Sequence, residues 1–296
     1  MAAKIKIPDE LKADLPQTKW GKLFAATPIV MTVIATMLAG LSSSEMTRAQ
    51  YDRSLAAQQQ SKAGDQWGYF QAKKLRSALQ HNTLDVLQAT TEVQPLDATK
   101  LPGTTEAVLT ALQKGELPPL PSAAPLDANL VAALDAVASS KPEDEISALL
   151  KPVSNKAVAD ALAAAKELTL TLDSTLKPVN QAVDQLEKSL AGGDKSLSRD
   201  FLVARLRYTS ARYDLEAKLN QNVANLLELQ VRKNNISAEH HHSRSQRFFY
   251  GMLAAQLGVI VSTFAMAARQ RNALWAIAAI AGIIAVGFAI YVYLYV

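Results

Sequence analysis

At 296 residues and a net charge of +4, the chain carries no cysteine, which excludes disulfides, thiol nucleophiles, iron–sulfur ligation and covalent haem attachment. Its 31 lysines and arginines are spread along the sequence, so it has no basic tail of the kind that grips nucleic acid, and no nucleic-acid partner is expected. The near-zero mean hydropathy only averages apolar runs against a charged middle, and it excludes nothing.

A polar tail, residues 1–22, precedes the first uncharged apolar run, Leu23–Leu41. At ~1.5 Å per helical residue such a run crosses a bilayer core of ~30 Å. It is longer than a signal-peptide core, and no small-x-small cleavage pattern ends it before Ser42-Ser43-Ser44-Glu45, so a retained transmembrane helix is predicted. Residues 42–92 read as a long helix A, free of proline and rich in Ala, Gln, Lys, Arg and Leu. Gly64 and Gly68 are its weak points, expected to mark a kink or a close helix contact.

Residues 93–197 differ, holding nine of the twelve prolines. Short helices are predicted between the breaks: Asp127 caps one carrying Leu130, Leu134 and Val137, and Ser154 caps one carrying Val158, Leu162 and Leu172. Pro178 suits the first turn of another, with Val183, Leu186 and Leu190 on one face and Gly192-Gly193 ending it. This Ala/Pro-rich insertion reads as a helical cap at the far end of a hairpin, or as a mobile spacer.

Residues 198–247 form a predicted long helix B. Phe201, Ala204, Tyr208, Ala211, Leu215, Leu219, Val223 and Leu226 step by three or four and make one apolar stripe. Helices A and B should pack as an antiparallel hairpin. Two further spans follow, 248–268 and 273–296, separated by the turn Arg269-Gln270-Arg271-Asn272. Lys4, Lys6, Lys12, Lys19 and Lys22 before the first span, with Arg269 and Arg271, place these ends in the cytoplasm and residues 42–247 in the periplasm. Arg232, Lys233, Arg244 and Arg247 crowd the other side of the second span and weigh against that orientation.

The segment DQWGYFQAKKLR at 65–76 resembles the Trp–aromatic–aromatic–Gln–Ala–Lys signature of a bacterial membrane family, domain-of-unknown-function family 4337. Residues from Arg244-Ser245-Gln246-Arg247 through the paired spans look similar to that family's end. The resemblance covers about 23–90 and 198–296; the insertion departs from it. It implies a multi-span protein of the bacterial inner membrane with a helical soluble part, and no assigned activity.

Trp67 and Phe70 lie one turn apart, and two roles fit them: hairpin core, with Lys73, Lys74 and Arg76 solvated, or a docking patch for a partner helix, subunit or lipid-like ligand. Glu239-His240-His241-His242 invites a metal, but adjacent helical residues point ~100° apart and do not converge on one ion. Histidines ringed about an oligomer axis could still bind metal or sense pH. The spans carry no Asp, Glu, Lys, Arg or His, which argues against ion-coupled transport. Ala254, Gly258 and Ser262 form a small-residue ladder, as do Ala281, Ala285 and Ala289, and Gln256 could hydrogen-bond between helices. No phosphate loop, dinucleotide fingerprint or nucleophile elbow appears in the sequence, so no enzyme and no cofactor are expected.

The sequence therefore predicts an all-α integral membrane protein with three transmembrane helices, a long antiparallel hairpin and a helical insertion. The leading functional expectation is a homo-oligomeric scaffold in contact with membrane lipids, packed through Trp67, Phe70, Tyr208, Leu215, Leu219, Ala254, Gly258 and Ser262. Alternatives are an accessory subunit of another membrane complex for transport or secretion, and a passive channel around an oligomer axis.

Overall fold

The computed structural model describes residues 19–97, 99, 101, 104–121, 125–267 and 272–295. Lys4, Lys6, Lys12, Arg269 and Arg271, which carry most of the orientation argument, lie outside these residues. Among the described residues the protein is all helical, without strands. In chain order the helices are α1 (Lys19–Thr90), α2 (Glu106–Lys114), α3 (Ala128–Ala138), α4 (Glu143–Leu150), α5 (Asn155–Leu190), α6 (Lys195–Ala267) and α7 (Asn272–Tyr295). Three of them, α1, α6 and α7, contain stretches long and apolar enough to cross a membrane.

The first predicted span and helix A are one uninterrupted helix, as are helix B and the second span. Pro28 lies inside α1 without ending it, and the Thr32 hydroxyl donates to the Pro28 carbonyl at 2.8 Å. Gly64 and Gly68 do not mark a break either. A Cβ at either would meet nothing within 4 Å, so no helix packs closely on them.

The chain divides into two compact units, Met1–Arg53 with Asn235–Val296, and Ser54–Asn234. In the first, Met31, Ala35 and Leu38 of α1 pack with Phe248 and Ala255 of α6 and Ala285 and Val292 of α7. Their large neighbours point outward: Ile29, Val33, Leu257, Ile260, Ile280 and Ile283 are exposed. Apolar surface on this scale, on helices of this length, is what a lipid environment covers.

In the second unit the apolar stripe of helix B does not face helix A. Phe201, Ala204 and Tyr208 share a core with Val108, Ala111 and Leu112 of α2 and with Val179, Val183 and Leu186 of α5. Leu219 packs with Leu172 and Leu176 of α5, and Leu215 borders that cluster. The face of α6 turned to α1 is built from small residues instead. Ser210, Ala217, Ala224 and Val231, seven residues apart, are buried; on α1 Ala56, Ala63, Ser77 and Leu84 are buried at the same step, with the half-buried Phe70 between Ala63 and Ser77. The Ser77 and Ser210 hydroxyls meet at 3.2 Å. Seven residues are about two helical turns, so small side chains at that step let two antiparallel backbones approach along their length.

The insertion also departs from the expected cap. Its α2 meets α6 at 201–208, while Glu143 accepts from Arg232 at 3.0 Å and the Leu150 carbonyl accepts from Lys233 at 3.0 Å. It therefore folds back along α6. Asp127 and Ser154 cap their helices as their positions predict, the first accepting from the Asn129 and Leu130 amides and the second from the Ala157 amide. Pro178, expected to start a helix, sits inside α5. Its exposed ring removes one backbone hydrogen bond on the solvent side while Leu176 and Val179 stay buried.

Candidate functional site

The segment at 65–76 lies on α1 opposite residues 212–228 of α6. The half-buried Trp67 donates its indole N–H to Glu228 Oε1 at 2.6 Å, and its ring stands edge-on to Phe70, centroids 5.4 Å apart. Glu228 also accepts from Arg232 Nη1 at 3.2 Å. Within the chain, Trp67 thus packs against Phe70 and α6.

The cations that follow Trp67 are not simply solvated. Lys73 pairs with Glu216, and Lys74 Nζ donates to Asp214 Oδ1 at 2.9 Å. Lys73, Arg76 and Arg212 surround the Tyr213 ring at 5.2, 5.8 and 4.7 Å from its centroid. His81, the isolated histidine, lies 3.6 Å from Asp214 Oδ2. Partial burial acts to raise the Asp214 pKa but is outweighed by the bonds from Lys74, Ser77 and His81, so the carboxyl titrates below its ordinary value. Burial lowers the pKa of Lys233, whose ammonium donates to the Leu150 and Lys151 carbonyls.

Tyr208 is fully buried. Its hydroxyl donates to Asn180 Oδ1 at 2.7 Å, an oxygen that also accepts from Arg212 at 2.7 Å. Burial pushes the phenol up to about 12, against the lowering effect of Arg212. Tyr208 and Leu219 are thus spent inside the chain, and Leu215 lines the same interior. Tyr208 has no free surface, and its packing is complete within the chain.

In the other unit, the buried Glu45 meets His241 Nδ1 at 2.6 Å, Arg244 at 3.6 Å and Arg48 at 3.7 Å. Ser42 and Ser245 pair beside it at 3.2 Å. The histidine run serves separate ends: His241 engages Glu45, His242 Nε2 meets Gln246 at 3.0 Å, and the His240 ring stands edge-on to His241 at 5.7 Å. Among the described residues no three His, Cys, Asp or Glu side chains converge as a metal site. Sequence reading passed over Glu45. In the sequence it is only an acid four residues past Leu41, the end of an apolar run.

The small-residue ladders turn inward. Gly258, Ser262, Ala281 and Ala285 are buried, and Ala254 and Ala289 are half-buried. The Ser262 hydroxyl donates to the Val259 carbonyl at 2.9 Å within its own helix. A Cβ at Gly258 would overlap Met31 Cε and stand 3.5 Å from Ala281 Cβ, so three helices converge there. Gln256 is exposed and bridges none of the three.

Residues 20–115 match the family profile described as Domain of unknown function (DUF4337). The match includes the 65–76 signature; residues 198–296, read as similar to the family's end, lie outside it. No curated protein and no solved structure matches the chain.

Proposed function

We propose that this protein is a structural scaffold of the bacterial inner membrane, held by three spans and assembled from several copies. What supports this reading is the apolar surface left uncovered by the chain's own packing. The three apolar stretches expose large side chains outward, as a lipid-facing bundle does. On the polar part of α1, Leu75, Leu79 and Val86 are also exposed, with no described residue covering them. The charged clusters that the fold brings together are ion pairs and hydrogen bonds between helices, which hold α1 to α6.

A periplasmic location for 42–247 follows from the lysines ahead of the first span and from Arg269 and Arg271. The cations that weigh against it are engaged by the protein. Arg232 is held by Glu143 and Glu228, Arg244 by Glu45, Lys233 by carbonyls, and Arg247 lies over the Tyr291 ring.

The test is the mass of the native particle in a lipid nanodisc. A defined integer multiple of 31.9 kDa is the expected result. A single chain, or a particle carrying a stoichiometric foreign protein, overturns the scaffold reading in favour of a monomer or an accessory subunit.

A further inference from the structure

On α1 the exposed residues Ala72, Leu75, Leu79, Asn82, Val86 and Ala89 follow alternating steps of three and four, the a and d positions of a coiled-coil seam. Leu75, Leu79 and Val86 are 62, 57 and 61% exposed, a high value for three large apolar side chains on one helix face. The seam lies diametrically opposite the face used inside the chain. From Leu75 to the buried Leu84 is nine residues, and nine steps of ~100° leave the two half a turn apart. One face of α1 is therefore filled by α6, and the other repeats a helix-pairing pattern with no helix on it among the described residues.

We infer that this seam pairs with the same seam of a second copy, in parallel and in register, an inference that rests on the scaffold reading and names its interface. Three observations favour this occupant. Copies inserted the same way round are related by an axis along the membrane normal, so a two-fold contact sets their α1 helices parallel. In that register Asn82 faces Asn82, and a single polar residue at a core position of a coiled coil selects register, because any slip buries its amide against apolar side chains. The flanking residues do not oppose pairing. Gln71 faces Arg76, Ala78 faces Thr83, and Asp85 faces Thr90, with no like charges across the contact. Thr83 and Thr90 donate their hydroxyls to the Leu79 and Val86 carbonyls of their own helix, so these polar groups are already satisfied. The seam spans 18 residues, roughly 27 Å, which is short for a free coiled coil. Copies confined to one membrane meet at high effective concentration, and a short seam then suffices.

The chain has no cysteine, so single cysteines can be read without background. Leu79→Cys, Asn82→Cys, Val86→Cys and the off-seam Gln88→Cys would each be made in the full-length protein and oxidised mildly in native membranes. The expected result is a dimer band at 79, 82 and 86 and at least tenfold less at 88. Adding Leu75→Glu to Asn82→Cys should cut the dimer band at least tenfold, and both sites are exposed, so folding is not at stake. A native particle of several chains without seam cross-links refutes this interface and leaves the scaffold standing. A single-chain particle refutes both. Cross-linking at 82 but not at 79 and 86 refutes the parallel register, and a band joining position 82 to a different protein refutes the second copy as occupant.

Discussion

Trp67 and Glu228 share a 2.6 Å hydrogen bond between α1 and α6, made by the indole N–H of Trp67. Glu228 keeps Arg232 when the indole is lost, so Trp67→Phe should cost roughly 1.5–3 kcal/mol, the range for a hydrogen bond to a charged group. Trp67→Ala also removes the edge-on contact with Phe70 and should cost about 3 kcal/mol or more. Chemical denaturation of the protein in nanodiscs measures both. Equal losses for Phe and Ala would show that ring packing contributes nothing.

Tyr208 should make the fold sensitive to alkali. Its phenol is raised to about 12 from an ordinary 10.0, so the folded state holds the proton more tightly than the unfolded chain. The sign follows: the stabilisation is complete below pH 10 and is lost as pH climbs toward 12. Two pH units correspond to at most about 3 kcal/mol. Tyr208→Phe should cost about 1 kcal/mol at neutral pH through the lost bond to Asn180. It should also flatten the decline in melting temperature between pH 9.5 and 11.5, as measured against the parent (roughly the window of these values).

Asp214 sets the acid limb. Its pKa lies below the ordinary 3.8, so its contribution is present above that value and disappears as pH falls through the folded one. The carboxylate is about a third exposed, which limits the effect to roughly 1 kcal/mol or less. Asp214→Asn should therefore melt slightly lower than the parent at pH 6, and the two curves should converge as pH falls through the lowered folded value. A gap that persists in acid would mean the variant acts through packing.

Gly258 should tolerate one methyl and reject a large side chain. The atom in the way of a Cβ is the tip of Met31, which can swing aside, while Ala281 sits at ordinary contact distance. Gly258→Ala should change stability by less than about 1 kcal/mol, whereas Gly258→Leu must part the helices and should cost about 1–3 kcal/mol. Heat-induced aggregation in detergent ranks the two. A neutral leucine would place this glycine away from the helix contact.

The features legible in the sequence were those written in large apolar residues. The stripe Phe201–Leu226 stands out because six of its eight members are large and apolar, and the apolar runs stand out by length. Its partner could not be read, since helix A and the insertion offer comparable apolar faces; α5 takes it through Leu172, Leu176 and Val183. The series Ser210, Ala217, Ala224 and Val231 escaped notice because Ala and Ser are common on any helix and carry little hydrophobic contrast. Pro178 misled for a different reason. Proline marks helix starts more often than interiors, and only the exposure of its ring shows that α5 can run through it. Charge partners such as Glu45 with His241, 196 residues apart, leave no local trace at all.

A face that repeats the same small residue every two turns is like a ruler with unnumbered marks. Sliding α1 along α6 by seven residues, roughly 10 Å, would again set Ala56 and Ala63 against alanines, although Phe70 interrupts the series on α1. Only features that occur once can number the marks. Trp67 on Glu228 and Lys74 on Asp214 are such features, and a slip of two turns would leave each without its partner. The most distinctive stretch of this sequence thus acts as a key that fixes which alignment of two otherwise repetitive helices is the native one.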